Sequence, residues 1–155
     1  MDPSSIRQII ILLILLLLSA FFSSAETALT TVNNHRMPAL ANQGNKKAAR
    51  VLSMIEKPEK MLSAILIGNN IVNLTASSLT TTLAMSLATQ AGLGKSSSTF
   101  VGIATGILTF LILIFGEITP KTIATMKNES MALVYSGIIY TITTILTPVI
   151  YVVNL

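Results

Sequence analysis

Residues Ile9 to Leu18 are an unbroken run of isoleucine and leucine, inside an apolar stretch that reaches from Ile6 towards Leu29. About 20 apolar residues, each rising about 1.5 Å in a helix, cover the hydrocarbon core of a bilayer. A helix that is apolar all round has no face for water. The rest of the chain agrees. Charged residues make up 10% of it and hydrophobic ones 52%, with a mean hydropathy of +0.74; a soluble domain carries about 25% charged residues. Ser23-Ser24-Ala25 offers small residues where a leader would be cut, but Arg7 is the only basic residue ahead of it and Asp2 offsets that charge, so a retained span is expected.

The apolar pattern predicts an all-α integral membrane protein. A first span covers about 6–32. A basic segment, 33–59, carries His35, Arg36, Lys46, Lys47, Arg50 and Lys57, with Pro38, Gly44 and Pro58 as breakers. Ala39-Leu40-Ala41 and Ala48 to Leu52 suit short helices on the membrane surface; the segment as a whole reads as a solvated, lipid-facing loop. Further spans cover about 60–91 and 98–126, joined by a short outer loop holding Lys95. Positive residues stay on the inner side, so the N-terminus is expected outside, in a multi-pass protein of the cell membrane. Met131 to Val153, broken by Pro148, suits either a fourth span or a helix lying in the inner leaflet. The chain stops at Asn154-Leu155 with no polar tail, as expected of one domain of a longer protein.

There is no cysteine and one histidine, His35, which leaves little for zinc or copper. A bound metal here is expected to be a hard cation held by oxygen. The net charge of +4 is explained by topology rather than by nucleic acid. No catalytic triad, phosphate loop or nucleotide motif is present, so an enzyme is not expected.

Two carboxylates fall inside predicted spans, Glu26 and Glu117. Such groups cost roughly 2.5–3.5 kcal/mol or more and face the protein interior or a wet cavity. Pro120 has no N–H and its ring clashes with the carbonyl four residues back, that of Gly116. A carbonyl beside Glu117 is thus expected to lack its helical partner, as at the broken helices that bind cations in transporters. The competing reading is a proline kink with Glu117 paired to Lys121 at i and i+4. The second span adds Asn69, Asn70 and Asn73; Asn69 and Asn73 share a face. The first adds Ser19 and Ser23 at i and i+4, then Ser24 and Glu26. Counted at about 1.5 Å per residue, Ser23, Asn69 and Glu117 each lie roughly 14–15 Å from an inner end. Three polar clusters at one depth point to one site. By ligand hardness Mg²⁺, Ca²⁺ and Na⁺ all suit it. Gly102 to Gly106 is a small-xxx-small pattern, expected to serve packing within the chain before a dimer seam.

Leu18-Ser19-Ala20-Phe21-Phe22-Ser23-Ser24-Ala25-Glu26-Thr27-Ala28, Gly68-Asn69-Asn70-Ile71-Val72-Asn73 and Gly116-Glu117-Ile118-Thr119-Pro120-Lys121 together resemble the transmembrane domain of the CNNM/CorC magnesium transporters, more their bacterial CorC branch. The resemblance covers essentially the whole chain. It implies three membrane helices, a juxtamembrane helix belt that includes about 130–153, and a homodimer. It implies Mg²⁺ export in exchange for Na⁺, with CBS and CorC-type domains absent from this chain and ATP acting only through them. By motif the metal ligands come from Ser19 or Ser23, Asn69 or Asn70, the Gly116 carbonyl and Glu117; Ser24, Glu26 and Asn73 are weaker candidates. The alternative function is a Mg²⁺ sensor that transports nothing itself; a purely structural anchor is a further rival.

Overall fold

The computed structural model describes residues 2–92 and 97–155. The outer-loop residue Lys95 lies outside the described residues. Among them there are only helices. Helix α1 runs Pro3–Thr31, α2 Arg36–Asn42, α3 Lys46–Ile55, α4 Pro58–Gln90 and α5 Ser97–Leu113. A π turn, Ile114–Ile118, joins α5 to α6, Thr119–Met126. Helices α7, Asn128–Ile145, and α8, Thr147–Val153, complete the chain.

Three helices are long and apolar enough to cross a membrane: Pro3–Thr31, Pro58–Gln90 and Ser98–Met126. Their starts follow local chemistry. Pro3 and Pro58 stand at the first helical positions of α1 and α4, where a missing N–H costs nothing. Leucine and isoleucine side chains remain exposed along α1 and α5, Leu17 at 71% and Phe110 at 61%; this is the surface a lipid solvent covers.

The basic segment is not a loop. Met37 on α2 and Ala48, Val51 and Met54 on α3 are buried. The Asn45 side chain caps α3 by accepting the Ala48 N–H at 3.0 Å, and Gly44 turns the chain at φ +90°, a conformation glycine adopts without strain. The apolar stripe of α3 has a partner in α7, which the sequence places about 80 residues downstream.

Pro148 divides the last apolar stretch into α7 and α8, which meet at 62°. Asn128, opening α7, donates to the Thr31 carbonyl at the C-terminal end of α1, 2.9 Å. At the other extreme, Thr147 and Ile150 share a cleft with Glu56 to Lys60 at the N-terminal end of α4. Both ends of the pair therefore sit on the side of the basic segment. The pair is laid across that side like a brace, with Ala132, Ser136, Ile139 and Thr143 turned to the core.

Candidate functional site

Two glycines bring the spans together. A Cβ on Gly68 would stand 2.6 Å from the Phe22 ring, so α1 and α4 touch where α4 has no side chain. On Gly116 a Cβ would stand 3.0 Å from Leu16 Cδ1 and 3.2 Å from Ser19 Oγ, so the π turn meets α1 in the same way. Ser19 sits between these contacts and is 3% exposed.

The Ser19 hydroxyl is 3.0 Å from Asn73 Oδ1 and 3.3 Å from the Gly116 carbonyl oxygen. Oxygens from three helices thus converge on one point. The π turn explains the carbonyl. An extra residue between Leu113 and Thr119 lets the Thr119 N–H reach the Ile114 carbonyl instead, and Pro120, buried at the start of α6, offers no N–H at all. The Gly116 oxygen finds its donor on another helix. Such bulges occur often at functional sites.

A cavity of about 180 Å³ opens beside this point, lined by Ser19, Asn73, Ser77, Thr80, Thr109, Ile112, Leu113 and Glu117. Ser77, Thr80 and Thr109 were no part of the sequence reading. Ser77 and Thr80 lie four and seven residues beyond Asn73, on its face, so helical periodicity carried a usable signal. The Thr80 hydroxyl is buried without a partner.

Other candidates fall differently. Ser23 and Asn69 lie one turn from Ser19 and Asn73, towards the basic segment; Ser23 Oγ and Asn69 Oδ1 are buried with no hydrogen-bond partner. A buried polar atom left so costs about 1–3 kcal/mol. The direct contact thus forms one turn nearer the N-terminus of α1 and the C-terminus of α4 than the pair Ser23 and Asn69 that residue counting put at the depth of Glu117. Asn70 is exposed on α4, away from the cluster. Ser24 faces α7: it donates to the Ala20 and Phe21 carbonyls and lies 3.4 Å from the Tyr135 hydroxyl. Neither lines the cavity. Asn73, the weaker amide by motif, stands at the centre.

Glu117 is half-buried, its Oε1 3.7 Å from Lys121 Nζ, and Glu26 Oε2 lies 3.9 Å from the same ammonium. The i, i+4 pair is therefore present, together with the cavity rather than instead of it. At side-chain exposures of 38–43% these loose pairs contribute little stability. Among the described residues no three acidic, histidine or cysteine side chains gather as a metal cluster; a cation here would meet one carboxylate and neutral oxygens. Gly102 and Gly106 pack against nothing: a Cβ on either has no heavy atom within 4 Å. Helix α5 turns another face to α4, so among the described residues this motif is not used in packing.

Comparison with known proteins places this geometry in a family. An inner-membrane protein of Escherichia coli, YfjD, is 40% identical over 129 residues, covering 83% of this chain and 28% of the relative. A Haemophilus influenzae protein is 43% identical over 130 residues, covering 84% and 29%. A chloroplast DUF21 domain-containing protein of Arabidopsis thaliana is 36% identical over 125 residues, covering 80% and 18%. The chain spans less than a third of the length of these relatives. Residues 10–155 match the family described as the cyclin M transmembrane N-terminal domain, and the chain belongs to that CNNM family of membrane proteins.

Proposed function

We propose that the chain carries Mg²⁺ out across the membrane, with Na⁺ moving inward in exchange, through the oxygens gathered at Ser19, Asn73, Gly116 and Glu117. The observation that carries this reading is the double demand on one hydroxyl. A serine has a single proton to donate, and Ser19 faces two acceptors, Asn73 Oδ1 at 3.0 Å and the Gly116 oxygen at 3.3 Å. The one proton serves only one of these acceptors fully, and a cation satisfies both together with the serine lone pairs. Ser23 Oγ and Asn69 Oδ1, buried and unpartnered one turn inward, give the ion its next oxygens towards the basic side. Glu117 supplies the charge.

Mg²⁺ keeps several of its waters and takes one or two carboxylates, and a cavity of about 180 Å³ beside the ligands leaves room for them. A site with one formal charge holds such an ion loosely enough to release it. Lys121 adds a resetting element: with no ion bound, its ammonium balances Glu117 and Glu26.

Six of the ten Lys and Arg residues lie between Arg36 and Lys60, which supports an inside location for that segment and an outside N-terminus. The chain works as a homodimer in this reading; the bare Gly102 and Gly106 surface of α5 permits a close helix approach.

The test is flux. Liposomes containing the chain and loaded with Mg²⁺ lose it when Na⁺ is added outside, and the Glu117→Gln protein does not. Binding of Mg²⁺ without any flux under either Na⁺ gradient would make the chain a sensor and end the transporter reading.

A further inference from the structure

Arg50, Lys57 and Lys60 are among the basic residues with no carboxylate within 4.0 Å among the described residues. They surround one place. A cleft of about 160 Å³ between α3, the start of α4 and α7 is lined by Ser53, Lys57, Lys60, Tyr140, Thr143 and Thr144, with Met54 and Met61 at its floor. Arg50 lies over the Tyr140 ring at 5.9 Å, and its guanidinium rests on Gly137, where a Cβ would come within 3.1 Å of Nη1.

We propose that this cleft binds the phosphate group of an anionic phospholipid. Positive charge converges on it from two sources. Lys57 and Lys60 bring ammonium groups. The first turn of α4, which has no side-chain cap, adds free backbone N–H groups and the positive end of the helix dipole. The Thr143 and Thr144 hydroxyls already donate to their own helix, at 2.7 and 2.9 Å, so Lys57, Lys60, Ser53 and the Tyr140 hydroxyl are the donors left for an anion. Glu56 and Glu59, the latter in the first turn of α4, line the adjoining cleft under α8, which Lys57 and Lys60 border as well, and neither carboxylate lines this one. The surroundings fit a lipid rather than a free ion. Ile145 at the end of α7, next to the cleft residue Thr144, and Val152 on α8 are 69% and 67% exposed, apolar surface for acyl chains beside a polar headgroup seat. Basic residues at a cytoplasmic membrane face recognise anionic headgroups in this way.

Native mass spectrometry of the whole chain, released from nanodiscs holding equal phosphatidylglycerol and phosphatidylcholine, reads the proposal. Phosphatidylglycerol is expected to remain bound in preference. Lys57→Gln with Lys60→Gln weakens that retention by roughly fivefold per lysine, since one basic residue near an anionic surface contributes about 1 kcal/mol. Lys46→Gln with Lys47→Gln, removing equal charge outside the cleft, leaves it unchanged, and Lys57→Arg with Lys60→Arg keeps it, separating loss of charge from loss of fold. Equal loss in both glutamine pairs would mean a diffuse surface field and overturn the site. Displacement of the lipid by inorganic phosphate alone would make a soluble anion the occupant and overturn it as well.

Discussion

Ser19 and its two acceptors set the chemistry at the smallest scale. Replacing Ser19 with Ala removes the one proton that Asn73 Oδ1 and the Gly116 oxygen share, a loss of about 1–3 kcal/mol in the ion-free protein. Mg²⁺ then recovers part of that loss, so a thermal melt should show a lower starting Tm and a weakened but measurable Mg²⁺ shift. Gly116→Ala acts differently. The new methyl arrives 3.0 Å from Leu16 Cδ1 and 3.2 Å from Ser19 Oγ, and Ser19 must turn away from the carbonyl; Mg²⁺ affinity measured by calorimetry falls more than stability does. Gly68→Ala strikes packing alone, because its Cβ meets the Phe22 ring at 2.6 Å. Overpacking of this kind costs about 1–3 kcal/mol, and Phe22→Leu in the same chain should restore most of it. These residues were mostly legible in the sequence, since an acid, three amides and two serines inside lipid demand a purpose. Which serine and which amide meet was not, because that choice depends on helix rotation and tilt, to which a one-dimensional count of rise is blind.

At the scale of elements the π turn is the decisive piece. It was legible only by halves. Pro120 announced an opened helix at Gly116, but an inserted residue over Ile114–Ile118 leaves no mark in the apolar pattern. Pro120→Ala returns an N–H to the start of α6 and allows regular α-helix to reclaim the Gly116 oxygen. The expected outcome is a higher Tm, since the regained N–H restores one backbone hydrogen bond of about 0.5–1.5 kcal/mol, and a lower Mg²⁺ affinity; equal affinity would detach the proline from the site. Helices α2 and α3 show the opposite limit of sequence reading. Short helices at residues 39–41 and 48–52 were legible and lie inside α2 and α3. The charges pointed to a solvated segment, however, while Met37, Ala48, Val51 and Met54 are buried because α2 packs on α3 and α3 on α7.

Across the whole molecule the basic segment, the α7–α8 brace, the C-terminal end of α1 and the N-terminal end of α4 share one side. The chain has no cysteine, so one introduced thiol reports that side directly. Ser4→Cys should react with a membrane-impermeant maleimide added to intact cells, and Gln43→Cys only after lysis. Length and hydropathy made the three spans plain, whereas the path of residues 128–153 depended on tertiary contacts such as Asn128 with Thr31. The account as a whole depends on Glu117 charging an oxygen cluster that would otherwise be neutral. Titrating Mg²⁺ into the purified chain while following its melting temperature tests this most directly. The native protein should gain stability as Mg²⁺ rises and the Glu117→Gln protein should gain none; an equal gain in both would contradict the site described here.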